Sequence, residues 1–316
     1  MSAMSSYLLA DIGGTHTRIA LATPGGEPQQ RHRYRNSELG DPLSGLQHFL
    51  AQVAPARPTT LAIAVAGPVQ GGRVQLTNRS WMLHDGSLAR ALGLDAVHLY
   101  NDFQALARAL PLLCASSVRP LAPGVAEPGA PRAVLGPGTG LGVAAAVPCP
   151  AGWSALACEG GHVTLAPGDV AESTLIDRLR QQLDHVSAEA VLCGAGLCRL
   201  HAVLHGAPCD DPKAITEAGR AGDPRATETI QRFFSLLGGF AGNLALTLGA
   251  RGGLYLAGGM LPALWQPMQE SAFLERFRAK GRFRDYLTAI PVLLIRDPEG
   301  ATLLGLRALL DDAGGG

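Results

Sequence analysis

The chain has 316 residues, 47% hydrophobic and 16% charged, a balance that suits a globular protein with core enough for two domains. Its 26 basic residues equal its 26 acidic ones, so no charge excess points to nucleic acid or an anionic membrane. The start, MSAMSSYLLADIGG, lacks the basic and long apolar regions of a secretory leader, and no apolar run approaches the ~20 residues that cross a bilayer; a cytoplasmic location is expected.

Residues 7–22 read as two strands joined at Gly-Gly-Thr. LAIAVAGPV (61–69) is continuously apolar, the pattern of a strand buried on both faces. VHLYND (97–102) is a short strand running into FQALARAL, where Phe103, Leu106, Ala107 and Leu110 recur on one helical face. Asn101 and Asp102 stand where that helix begins, and both types suit an N-cap. The proline-rich stretch 111–132 reads as turns and as a domain boundary.

A strand at AVLG then breaks at PGTG and resumes as LGVAAAV. Helices are expected over 171–183 and 225–249, strands at LYLAGGM and IPVLLI, a helix at ATLLGLRALL, and a loose tail DDAGGG. Alternating strands and helices place the chain in the α/β class. One internal echo stands out: GTHTRIALA (14–22) aligns with GTGLGVAAA (138–146), each after an apolar strand. Six scattered cysteines form no C-x-x-C pair and read as reduced, mostly buried thiols.

Three glycine sites carry the chemistry. In Asp11-Ile12-Gly13-Gly14-Thr15, glycines would permit positive φ and let inward-turned N–H groups cradle a phosphate, with the threonine hydroxyl as a further donor. A plain tight hairpin is the alternative. Asp11 at the strand end would hold Mg²⁺ directly or through water, or else simply brace the turn. Gly138-Thr139-Gly140 repeats the arrangement. Gly258 and Gly259 end a strand at an expected helix start, where a base or ribose would lie flat against backbone. The G-x-x-x-x-G-K-[ST] loop is absent, and GPGTGLG lacks G-x-G-x-x-G spacing, so neither a P-loop nor a Rossmann dinucleotide site is expected.

Between the glycine sites lie Asn101, Asp102, Glu159, His162 and Glu189, a set that can donate to and accept from a polyol. Each also has a plain structural role open to it: helix cap, surface acid or satisfied core histidine.

Together LLADIGGTHTRIAL, LAIAVAGPV, LTNRSW, LYNDFQALA, VLGPGTGLGVA, CEGGHVTLAP, HVSAEAVLCGAGL, GGLYLAGGM and KGRF resemble the bacterial glucokinase family, in the hexokinase branch of the actin-like ATPase superfamily. The resemblance implies a two-lobed actin-like ATPase (ribonuclease H-like) fold with a deep interlobe cleft. It implies a small lobe of residues 1–112 plus 299–316 and a large lobe of 113–298. It further implies a homodimeric enzyme that transfers the γ-phosphoryl group of ATP, with Mg²⁺, to the 6-hydroxyl of glucose.

Carried over residue by residue, Asp102 is the catalytic base, and Asn101, Glu159, His162 and Glu189, with backbone near Gly138, hold the other hydroxyls. Asp11, Ile12, Gly13, Gly14 and Thr15 grip phosphate from one lobe, and Gly138, Thr139 and Gly140 from the other. Gly258 and Gly259 line the adenosine side, and Asp11 reaches Mg²⁺ through water. Two positions depart from the family pattern: His16 stands where asparagine is usual, and GAGL replaces GPGL after Cys193.

Rival readings meet specific obstacles. Kinases of the repressor/open-reading-frame/kinase group typically carry clustered zinc-binding cysteines after a Gly-His, but GGHVTLAPGDVAESTL has none. A sugar-responsive repressor would need a DNA-binding domain, and ten residues precede Asp11. An assembly or chaperone ATPase would have no use for Asn101, Asp102, Glu159, His162 and Glu189.

Overall fold

A computed structural model describes residues 6–53, 57–76 and 81–314; Thr77–Ser80 of the LTNRSW motif lie outside the described residues. The chain divides into two compact units, Met1–Leu113 with Trp153–Ala157 and Asp297–Gly316, and Cys114–Gly152 with Cys158–Arg296. Strands of the first are β1 (Tyr7–Ile12), β2 (His16–Ala22), β3 (Gln29–Arg35), β4 (Thr60–Val65), a short hairpin of β5 (Arg73–Gln75) and β6 (Met82–His84), and β7 (Ala96–Asn101). The later strands are β8 (Val118–Ala122), β9 (Arg132–Pro137), β10 (Leu141–Cys149), β11 (Gly152–Ala157), β12 (Leu254–Leu256) and β13 (Val292–Ile295).

The first sheet runs β3-β2-β1-β4-β7, with β1 antiparallel to β2, and with β4 parallel to both β1 and β7. Leu8, Leu9 and Ala10 of β1 and Leu61–Val65 of β4 are fully buried, which is why these strands lack alternation. Register places Ile12 beside Val65 and Val65 beside Asn101. The Gly-Gly-Thr turn and the Asn101–Asp102 pair therefore leave the sheet at one edge, about 10 Å apart at ~4.8 Å per strand.

The second sheet runs β11-β10-β9-β12-β13-β8. Again an antiparallel hairpin, β9–β10, is followed beyond its first strand by two parallel strands, β12 and β13. The sequence echo is thus also an echo of topology.

Several expectations need correction. β3 and β8 escape the hydrophobic pattern because both are sheet edges: QQRHRYR is mostly exposed, and VRPLA carries a proline tolerated only at an edge. The stretch 111–132 is therefore not all turn. The terminal DDAG is not loose, since the helix Pro298–Gly314 includes it. Asp311 pairs with Arg307 at 2.6 Å, and Asp312 takes two hydrogen bonds from Arg108, at 2.7 and 2.8 Å. Of the six cysteines only Cys193 and Cys198 are buried.

That terminal helix positions the start of the helix Asp102–Ala109. Leu303, Leu306 and Leu310 pack with Leu9, Ala62, Ala64 and Ala105. Gly305 crosses so closely that a Cβ there would sit 1.8 Å from the Ala105 carbonyl oxygen. Gly305→Ala must push the two helices apart. It is expected to cost about 1–3 kcal/mol, read as a lowered urea midpoint at unchanged slope.

Candidate active site

At the first loop, the Gly13 amide donates to the His16 carbonyl at 3.0 Å, closing the turn between β1 and β2. Two buried polar residues that sequence reading missed pin it from behind. Asn36 Nδ2 donates to the Gly13 carbonyl at 2.7 Å, and the Asn36 backbone amide donates to the Thr15 carbonyl at 2.9 Å. Thr17 Oγ1 in turn donates to Asn36 Oδ1 at 2.8 Å. A lone Asn-Ser after a charged strand gives no sequence signal of that role.

Gly13 does not adopt positive φ, and neither do Gly138 and Gly140, contrary to the sequence expectation. Space is what Gly13 and Gly140 need, whereas a Cβ on Gly138 would come no closer than 3.9 Å to the Gly140 carbonyl oxygen. A Cβ on Gly13 would meet Arg18 Nη1 at 3.2 Å, and one on Gly140 would meet Glu189 Oε2 at 2.4 Å.

Asp11 is 8% exposed and lies 3.2 Å from Arg18 Nη1, while Arg18 Nη2 also bonds Glu299 of the terminal helix. Burial raises the Asp11 carboxyl to about 6, outweighing the neighbouring Arg18. Among the described residues no three His, Cys, Asp or Glu side chains converge on a metal site. A single carboxylate suits Mg²⁺ held chiefly by phosphate and water, the mode expected of a nucleotide-bound ion.

Asn101 and Asp102 do cap their helix. Asn101 Oδ1 accepts from the amides of Phe103 and Gln104 at 2.9 and 3.2 Å, and Asp102 Oδ1 accepts from Phe103 at 2.9 Å. Asn101 Nδ2 donates to the Gly67 carbonyl at 3.3 Å, which ties the loop after β4 to this strand end.

In the second unit, the loop 138–140 is held at both ends. The Gly194 amide, opening the helix Gly194–His205, donates to the Gly138 carbonyl at 2.9 Å. The Leu141 amide donates to Glu189 Oε2 at 2.7 Å. With Gly138 bonded to the Gly140 carbonyl at 2.8 Å, the amides of Thr139 and Gly140 are the loop donors left unspent among the described residues.

Glu159, His162 and Glu189 come together beside this loop. His162 Nε2 lies 3.9 Å from Glu159 Oε2 and 3.9 Å from Glu189 Oε1. The Glu189 amide bonds the Gly161 carbonyl at 2.8 Å, so Glu-Gly-Gly-His and Glu189 form one piece of backbone.

Gly258 has φ of 114° and packs against Pro137, where a Cβ would fall 2.2 Å from the carbonyl oxygen. It therefore abuts the base of the 138–140 loop. Gly259 faces open space. No helix starts at this pair, since the next begins at Trp265; the strand leads instead into a run of turns over 259–264, in which the Leu261 amide donates to the Gly258 carbonyl at 3.3 Å.

A family model described as Glucokinase matches residues 8–313. The chain belongs to the glucokinase family. A glucokinase of Paramagnetospirillum magneticum is 43% identical over 313 residues, 96% of this chain and 97% of that one. The crystal structure of a glucokinase from an Antarctic psychrotroph superposes with a TM-score of 0.89 at 33% identity, covering 98% of this chain and 100% of that one. A ROK family glucokinase from Streptomyces griseus, in complex with glucose and AMPPNP, gives 0.65 at 19% identity over 96% and 99% of the two chains, a likeness of fold. The fold is thus that of the actin-like sugar kinases, and the chain is a sugar kinase of the glucokinase family.

Burial of Asp11 has a measurable consequence in this family member. An acid with a raised folded pKa stabilises the fold below its unfolded value of 3.8, and that contribution is lost as pH rises through about 6. Relative to Asp11→Asn, the wild type should lose about 2 kcal/mol of unfolding free energy between pH 4 and pH 7, measured by urea titration at each pH.

Proposed function

We propose that this protein transfers the γ-phosphoryl group of ATP to the 6-hydroxyl of glucose, giving glucose 6-phosphate and ADP at the head of glycolysis. The observation that carries this reading is the convergence of Glu159, His162 and Glu189 on the glycine loop 138–140. Two acids and an imidazole beside spare amides form a polyol holder adjoining a phosphate cradle.

Asp102 accepts the proton of the 6-hydroxyl as its oxygen attacks the γ-phosphorus, the P–O bond to ADP breaking on the opposite side. The helix N-terminus it occupies lends positive partial charge beside a carboxylate. Asn101, already fixed by its bonds to Phe103, Gln104 and Gly67, orients a neighbouring hydroxyl, and Glu159, His162 and Glu189 hold the rest. Asp11–Thr15 and Gly138–Gly140 receive the phosphates, Gly258 and Gly259 the adenosine. Asp11 would hold a Mg²⁺ ion accompanying ATP through water, and such an ion would supply neutralisation of the phosphate charge. Family resemblance supports the lobes 1–112 plus 299–316 and 113–298, a homodimer and a cytoplasmic location. Among the described residues no helix is long and apolar enough to cross a membrane.

ADP release should require glucose when glucose, mannose, fructose, N-acetylmannosamine and no sugar are compared. Asp102→Asn should lower kcat by about 10²–10⁴-fold with a far smaller change in the glucose KM. Sugar-independent release would point to an assembly ATPase, and release with fructose alone to a different sugar kinase.

A further inference from the structure

We infer that Glu189 couples the two substrates, because one carboxylate fixes the second phosphate loop with one oxygen and offers the other to a sugar hydroxyl. This rests on the sugar-kinase reading above. Glu189 Oε2 accepts the Leu141 amide at 2.7 Å. That bond is charge-assisted and so among the stronger ones available to a backbone N–H. It is possible only because residue 140 has no side chain, as a Cβ there would lie 2.4 Å from Oε2. Glu189 Oε1 points the other way, 3.9 Å from His162 Nε2, and the side chain is about one-third exposed.

The carboxylate cannot turn toward a hydroxyl without pulling on Leu141, because its own backbone is fixed by the bond to Gly161 at 2.8 Å. At the loop's far end Gly138 is fixed to the helix Gly194–His205. Movement at Glu189 is therefore delivered to Thr139 and Gly140, whose amides remain for phosphate. His162 meets Glu159 and Glu189 and holds sugar without bonding the loop. Sugar binding thus sets the loop that receives the nucleotide, and linkage makes the effect reciprocal.

The test is calorimetric titration of the whole protein with glucose, with and without saturating AMPPNP. In the wild type, glucose should bind about 5–50-fold more tightly in the presence of the analogue. Glu189→Asp keeps the charge but is one methylene too short to serve both partners; it should weaken glucose binding and bring the coupling factor to within about twofold of unity. Gly140→Ala, which displaces Oε2 from the Leu141 amide without changing any of the side chains that hold sugar, should abolish the coupling too. It also serves if Glu189→Asp fails to fold, as judged by thermal melting. His162→Ala should weaken glucose binding yet keep the wild-type factor. A wild-type factor of one, or a full factor in Glu189→Asp despite weakened glucose binding, would overturn the proposal. Unchanged glucose affinity in both His162→Ala and Glu189→Asp would overturn it by removing the sugar site itself.

Discussion

Parallel pairing of β1, β4 and β7 is the constraint on which the first unit depends. Its register aligns Ile12, Val65 and Asn101, so the strands end together and everything after them begins at one edge. A slip of one residue would reverse the face of every side chain in the slipped strand. In β4 that would exchange the large Leu61, Ile63 and Val65, packed in one core cluster, for the small Ala62 and Ala64, packed in the other, leaving one face overfilled and the other hollow. The Gly-Gly-Thr turn and the helix that begins at Asp102 are consequently fixed by hydrophobic burial well away from either. The terminal helix finishes the job, since the Gly305–Ala105 crossing leaves the Asp102 helix no room to slide.

The two halves solve the same problem with different anchors. Both place a glycine turn between antiparallel strands and flank the first strand with parallel ones. In the first, the buried Asn36 holds the turn's carbonyls and is itself held by the Thr17 hydroxyl, while Arg18 pairs with both Asp11 and Glu299. In the second, a carboxylate holds an amide of the loop directly. A buried neutral anchor is rigid because leaving either partner unsatisfied costs about 1–3 kcal/mol. A partly exposed carboxylate can exchange its partners with water or with a ligand at less cost. The first turn is therefore the more rigidly held, and the second is the one that can respond.

Much of this was legible in the sequence where a single pattern controlled the outcome. Continuous apolar runs identified β1, β4 and β9, and the Asn101–Asp102 pair marked a helix start that the structure realises with both side chains capping. The motifs also identified the family that the whole-chain match shows. What escaped lies at edges and in long-range pairings. β3 and β8 are solvated on a flank, so no hydrophobic period betrays them. The bond from Asn36 to Gly13 spans 23 residues and that from Arg18 to Glu299 spans 281, separations at which local pattern carries no information. Positive φ is not what the glycine turns use: Glu189 excludes a side chain at Gly140, and Arg18 crowds one at Gly13.

The departure at His16 follows from the same local chemistry. Burial and the charges of Arg33 and Arg18 lower its pKa, so at neutral pH the ring is uncharged. Arg33 Nη2 lies 3.4 Å from Nδ1, and a guanidinium can only donate, so Nδ1 accepts and the ring proton resides on Nε2. The residue beside the Gly-Gly-Thr turn therefore presents one neutral N–H donor, which is what the amide of the more usual asparagine also offers. A protonated histidine would instead have crowded a third cation against Arg18 and Arg33, in competition with the ion pair that holds Asp11. The arginines on β2 and β3 are what make the histidine an acceptable substitute, because they fix both its charge and its tautomer.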